Sequence, residues 1–185
     1  MLDTCVLASS TIRDFLLWAA YLALYRPVWS ADILEELRRT LIDKFGVQPE
    51  RADYMIGQMT TAFQEAEVDG YQALIPVMTN AEKDRHVLAA SVIAKAQLIV
   101  TNNLRDFNDA ALSPYHIEAT NADNFLRDLL DVDSERMLEV LMTLAEQRKM
   151  PPRTVEELLQ ALEQDGCVGF AADMRVVLTE TYADS

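Results

Sequence analysis

Cysteine is scarce in this chain. Its 185 residues include two, Cys5 and Cys167, far too few for the disulfide framework of a stapled secreted domain. Free thiols in a reducing cytoplasm are the expectation. The two histidines, His86 and His116, have no zinc-ligand spacing with those cysteines, which argues against a structural zinc site. The five glycines, at 46, 57, 70, 166 and 169, form no loop able to cradle a nucleotide phosphate. No strand–Ser–helix elbow of a Ser–His–Asp hydrolase is present. No apolar run reaches the ~20 residues needed to span a bilayer, and the longest, Phe15 to Leu24, is bracketed by Arg13 and Arg26. The chain opens on a strand-like run, which does not read as a signal peptide. Basic residues are also in deficit: 16 Lys and Arg against 30 Asp and Glu give a net charge of −14 and a pI near 4.4. A chain this acidic cannot coat nucleic acid through phosphate neutralisation. Any RNA contact must be local, metal-assisted or helped by a partner, and the acidity favours a basic partner.

Half of the residues are hydrophobic and a quarter charged, and the length suits one compact domain with an appendage. Residues 2–7 read as a short buried strand and residues 11–24 as a helix capped by Ser10 or Thr11. Pro27-Val-Trp29 reads as an extended link, followed by a helix capped by Ser30 and ended by Gly46. Pro49 opens a helix running to about Ala66. Residues 74–78 read as a strand. Thr79-Asn-Ala-Glu82 has the form of a capping box before a helix ending near Ala96. Leu98-Ile-Val-Thr101 is the clearest strand, His116–Thr120 a weaker one, and residues 122–130 a helix. Strands separated by helices predict a parallel α/β sheet over residues 1–131. Residues 132–185 read as helices only, with Pro151-Pro152 the best internal boundary.

Four acidic residues sit where apolar runs begin or end. They are Asp3 in Met1-Leu-Asp-Thr-Cys-Val-Leu7, Glu36 in Ser30-Ala-Asp-Ile-Leu-Glu-Glu-Leu37, Asp84 in Lys83-Asp-Arg-His-Val-Leu88, and Asp106 in Val100-Thr-Asn-Asn-Leu-Arg-Asp-Phe107. Carboxylates in apolar surroundings are costly unless something offsets their charge, and oxygen-rich clusters suit Mg²⁺ or Mn²⁺. Each also has a plainer reading. Asp3 can be a polar strand end, Asp84 an N-cap, and Asp106 a cap on a short helix. Helical geometry groups Ile33, Leu34, Leu37, Leu41 and Phe45 on one face, with Glu35 and Glu36 on opposite flanks, and does not choose between the two glutamates. Asp84 shares a face with Val87, Leu88 and Ser91, where a solvated Asp is not expected.

The order and setting of these four motifs resemble a PIN domain, a family of metal-dependent ribonucleases, over roughly residues 1–131. The resemblance places the acidic ligands at Asp3, Glu36 (the glutamate directly before a Leu), Asp84 and Asp106. It implies that they hold one or two Mg²⁺ or Mn²⁺ ions, with Thr4, Thr101 and Asn103 orienting waters or phosphate oxygens behind them. A water made acidic by the cation would attack an RNA phosphodiester in line. The resemblance is to the VapC-like toxins of bacterial type II pairs, which implies an antitoxin partner and a cytoplasmic location. A fold kept as a binding or regulatory module is the alternative. The Asp3-Thr4-Cys5 start is also similar to haloacid-dehalogenase phosphatases, but their second acid is missing at Cys5.

Only Met1 and Leu2 precede Asp3, where PIN domains usually carry more of the first strand. The expectation is either a natural start upstream of Met1 or a short strand with a mobile N-terminus. Residues 132–185 carry 11 acidic and 5 basic side chains, so they are unlikely material for an RNA-binding arm. Two apolar stripes, Leu138-Leu141-Met142-Ala145 and Val155-Leu158-Leu159-Leu162, are expected to pack on the domain, on a second copy in a homodimer, or on a partner.

Overall fold

The computed structural model of the chain describes residues 1–147 and 154–183. Its elements run α1 (Thr4–Ala8), α2 (Ser10–Tyr21), β1 (Trp29–Ser30), α3 (Ala31–Asp43), α4 (Pro49–Ala62), β2 (Glu67–Val68) and α5 (Arg85–Ala94). They continue with β3 (Leu98–Val100), α6 (Asp109–Leu112), β4 (Glu118–Thr120), α7 (Ala122–Val132), α8 (Ser134–Gln147), α9 (Val155–Gln164) and α10 (Val168–Ala183). Short parallel strands stand among many helices, and the C-terminal region is helical. The chain forms two compact units, one from Met1–Ala8 and Pro27–Asn121, the other from Ser9–Arg26 with the described residues from Ala122 onward. The division thus falls before α7, where the sequence suggested residue 131. Pro151 and Pro152 lie outside the described residues.

In the first unit, β1 pairs with β2 and β3 with β4, both in parallel. Met1–Asp3 runs between the two ladders. Leu2 N donates to Val28 O at 2.9 Å on one side, while Val100 N donates to Met1 O at 2.8 Å and Asp3 N to Val100 O at 3.1 Å on the other. Met1 and Leu2 are buried and paired on both sides, so the mobile N-terminus is overturned.

The expected strand over residues 2–7 shrinks to a single bridge, Leu2 to Val100, because the chain turns helical at Thr4. Asp3 starts that helix: its carbonyl accepts from Val6 N and Leu7 N, and its carboxylate from Thr4 N. Residues 72–77 form a 3-10 helix where a strand over 74–78 was expected. Pro76 has no N–H for a ladder, which explains the difference. Ser30 caps α3 as expected, accepting from Ile33 N at 3.3 Å, and Ile33, Leu34, Leu37 and Leu41 are buried beneath it. Phe45 falls past the end of the helix and is exposed.

The second unit is a helical cluster. The buried seam of α8 is Met137, Val140, Leu141 and Leu144, rotated from the expected stripe, while α9 buries Leu158, Leu159 and Leu162 as its pattern suggests. These seams pack among α2, α7, α8, α9 and α10, with Phe15 and Phe170 meeting edge to face at 5.7 Å. The cap of α2 is Ser9, one residue before the expected ones. Among the described residues no helix is long and apolar enough to cross a membrane.

The start of α10 is tied to α7 by one carboxylate. Asp123 Oδ1 accepts from Phe170 N at 2.7 Å and Oδ2 from Gly169 N at 3.2 Å. A negative charge at a helix N-terminus satisfies free amides and complements the helix dipole. A Cβ at position 169 would lie 2.7 Å from Asp123 Oδ2, so a larger residue there would have to displace the capping carboxylate. Replacing Asp123 with Ala should therefore lower stability by about 1–2 kcal/mol, read as an earlier urea midpoint with an unchanged slope. An unmoved midpoint would contradict the capping role.

Candidate active site

The four acidic residues lie on four different pieces of the first unit. Asp3 follows the Leu2 bridge, Glu36 is in the second turn of α3, Asp84 precedes α5, and Asp106 ends a 3-10 turn after β3. Asp3 is buried, 3% exposed, and its oxygens are occupied from three directions. Oδ1 accepts from Thr4 N at 2.7 Å, and Oδ2 from Thr101 Oγ1 at 2.6 Å and Cys5 Sγ at 3.1 Å. Three donors to one carboxylate fix its direction and offset its desolvation. Asn103 enters this network through its backbone, donating to Thr101 Oγ1 at 3.0 Å. Burial, followed by the charge of Asp3, pushes the Cys5 thiol up to about 12. Cys5 is therefore a hydrogen-bond donor here and no nucleophile.

Glu36 and Glu35 part company clearly. Glu35 is exposed, with Arg39 at 4.0 Å. Glu36 turns toward Thr4, whose Oγ1 donates to its Oε2 at 3.0 Å, and toward His86, whose Nε2 lies 3.3 Å from its Oε1. Burial opposes ionisation of Glu36, but the contacts of His86 and Thr4 outweigh it and hold the carboxyl below its usual range. The same contact, against the effect of burial, raises the His86 imidazole. Only the fold could reveal that its partner is a glutamate 50 positions earlier.

Asp84 and Asp106 are drawn together by Lys83. The Lys83 ammonium lies 2.8 Å from Asp106 Oδ2 and 3.5 Å from Asp84 Oδ2. Asp84 is 8% exposed and occupies the N-cap position of α5, yet its side chain makes no capping bond. The capping box expected at Thr79–Glu82 does not form either. Instead Asn80 Nδ2 donates to the Asp84 carbonyl at 3.0 Å and Ala81 N to the Asp106 carbonyl at 3.1 Å, knitting the two loops together. Asp84 Oδ2 is buried with no hydrogen-bond donor aligned on it. Burial raises the Asp84 carboxyl to about 6. Lys83 partly offsets this, while the charges of Asp3 and Asp106 add to it.

The donor set suits a hard divalent cation: oxygen atoms only, an Asp84 carboxyl opposed by the charges of Asp3 and Asp106, one buried oxygen without an aligned hydrogen-bond donor, and a cationic side chain already drawn to Asp84 and Asp106. Among the described residues, no three His, Cys, Asp or Glu side chains are gathered closely enough to hold a metal ion. That geometry fits the water-rich Mg²⁺ style, in which one or two carboxylates suffice, better than an all-protein cage. Asp3 and Asp84 are the residues that would hold such an ion, and Asp106 could join once Lys83 turns to solvent. Glu36 stands apart on the Thr4 and His86 side.

Comparison with known proteins bears on both units. The family described as VapC50 C-terminal domain matches residues 122–176, the heart of the helical unit. A protein of Mycobacterium tuberculosis (strain ATCC 25618 / H37Rv) named "Putative ribonuclease VapC50" is 46% identical over 117 residues, 63% of this chain and 66% of that protein. The match thus spans slightly under two thirds of the relative's length. No solved structure matches the chain. Both comparisons make the chain similar to proteins named VapC50, over 122–176 for the family model and over 117 residues for the relative.

The raised Asp84 carboxyl has a consequence for stability without metal. In the unfolded chain Asp84 ionises at the ordinary carboxylate value of 3.8, and in the folded chain only near 6. Ionisation therefore favours unfolding: the penalty is absent below the lower value and complete above the higher one. In chelator, Asp84→Asn should melt above the parent protein at pH 7.5, and the difference should close toward pH 4. Thermal melts across that range read this directly. A variant that melts lower at pH 7.5, or a gap independent of pH, would contradict it.

Proposed function

We propose that this protein is a cytoplasmic, Mg²⁺- or Mn²⁺-dependent ribonuclease that cleaves RNA phosphodiester bonds, and that it is the toxin of a bacterial toxin–antitoxin pair. The observation that carries the reading is the buried Oδ2 of Asp84, which has no aligned hydrogen-bond donor and only the Lys83 ammonium at 3.5 Å, while the charges of Asp3 and Asp106 oppose its ionisation. The relative's name, with its word ribonuclease, supports the activity, and its VapC designation supports the antitoxin partnership. Met1–Asp3, running between the β1–β2 and β3–β4 ladders, is consistent with a small PIN-like sheet carrying the site at its edge.

When bound, the cation supplies a water acidic enough to attack at neutral pH and offsets charge on the phosphoryl group. The chain's own residues do the rest. Thr101, Cys5 and the Thr4 amide keep Asp3 aimed. Asp84 and Asp106 would complete the negative pocket that holds the cation, and Lys83, drawn to both, would have to give up those contacts. Glu36, kept ionised by His86 and Thr4, would orient a water near the site. A carboxylate set of this kind loses affinity for metal as Asp84 takes up its proton, so activity should fall as pH drops through about 6.

A second reading, a module that binds RNA without cutting it, is favoured by the lack of three gathered ligands among the described residues. Turnover separates the two. RNA cleavage should require Mg²⁺ or Mn²⁺, stop in chelator and exceed any hydrolysis of a phosphomonoester. Asp3→Asn and Asp84→Asn should each lower cleavage by more than about 100-fold, since even partners behind a metal ligand cost 10–100-fold. Glu35→Gln should be silent where Glu36→Gln is not. Cleavage that survives chelator or Asp84→Asn undiminished would overturn the mechanism. Metal-dependent RNA binding without cleavage would favour the second reading.

A further inference from the structure

A cavity of about 290 Å³ opens beside Glu36, lined by Thr4, Glu36, Arg39, Thr40, Asp43 and Lys44. Thr4 and Glu36 belong to the acidic site, so the cavity is continuous with it. The other four residues lie on the same face of α3 and just past its end, three to eight positions after Glu36. At 1.5 Å rise per residue, they extend the site by about 12 Å toward the C-terminus of the helix. The two cations in this groove are uncommitted compared with their neighbours. Arg39 has Glu35 at 4.0 Å, and Lys44 makes no ion pair among the described residues. Arg38, next along the helix, is held by Asp53 at 2.6 Å, and Lys83 is drawn to Asp106 at 2.8 Å.

We propose that this groove receives the phosphate backbone of the single-stranded RNA flanking the cleaved bond, with Arg39 and Lys44 as its phosphate contacts. The inference rests on the ribonuclease reading and specifies the side from which its substrate reaches the site. The physical need is plain: a chain of net charge −14 repels a polyanion, and a strand can approach four carboxylates only along a path where cations face it. Guanidinium suits a phosphate because its planar fork donates twice, and the Thr40 hydroxyl lies in the same groove. Asp43 is the opposing element. It sits among the cations, weakens the strand's hold there, and gives the groove a substitution with the opposite sign to that of Arg39.

The test uses the full chain carrying Asp3→Asn, so that RNA is held and not cut, with a labelled single-stranded oligoribonucleotide followed by anisotropy over a salt series. Arg39→Ala with Lys44→Ala should weaken binding about tenfold or more and flatten the salt slope by about 1.4, at about 0.7 for each lost contact on a single strand. Asp43→Asn should tighten binding, and Arg38→Ala should leave affinity and slope unchanged. In the active protein the double variant should raise KM with kcat near the parent value. All four positions are exposed or half-buried, and thermal melts check that the variants stay folded. If the parent cleaves RNA with metal but the double variant keeps its affinity and salt slope, the groove is wrong and the ribonuclease reading stands. A parent that neither binds nor cleaves RNA in divalent cation overturns both.

Discussion

Asp84 must give up nearly all its water for α5 to pack against the first unit, and it does so beside two other carboxylates. Much of the surrounding structure answers that cost. Lys83 reaches across to Asp106, Asn80 holds the Asp84 backbone, and the Ala81 amide fastens the neighbouring loop. Asp3 solves the same difficulty differently, with three hydrogen bonds from its own turn and from Thr101. One carboxylate is thus satisfied by donors while the other is left short. A site in which every acid were fully paired would have little to offer a cation.

The turn from strand to helix at Asp3 makes this arrangement possible. Leu2 bridges to Val100, and Thr4 already belongs to α1. In those few residues the chain places Asp3 beside Thr101, Thr4 against Glu36, and Cys5 across from the end of β3. Glu36 in turn is oriented by His86, which comes from the first turn of α5. Four separate segments are therefore tied pairwise by hydrogen bonds and ion pairs around one small volume. The helical unit is built on other physics, apolar seams and one charged cap.

The segments that carry the site were legible because their signals are local. Asp84 shares a helical face with Val87, Leu88 and Ser91, all buried, so its own burial followed from spacing alone. The β3 run has no polar interruption and forms as read. Failures came where two structures share one pattern. Residues 2–7 are apolar and short, which suits a buried strand or a helix equally, and the hydrogen bonds of Asp3 decided for helix. The seam of α8 was misjudged by one residue because Leu138 and Met142 are as apolar as Met137 and Val140. The choice of Glu36 over Glu35 could not come from geometry on the helix. It came from the resemblance, and the contact of Glu36 with Thr4, 32 positions away, is visible only in the fold. Lys83 and His86 were invisible as partners for the same reason: long-range charge pairing leaves no periodic trace.

The most direct test of the central claim, that these carboxylates are arranged for a cation, is anomalous diffraction from crystals of the full chain grown with Mn²⁺. The expected result is a peak about 2.0–2.2 Å from carboxylate oxygens of Asp3 and Asp84, completed by waters, with the Lys83 side chain displaced from the pair. Crystals saturated with Mn²⁺ that show no peak there, with Lys83 still bridging Asp84 and Asp106, would contradict it.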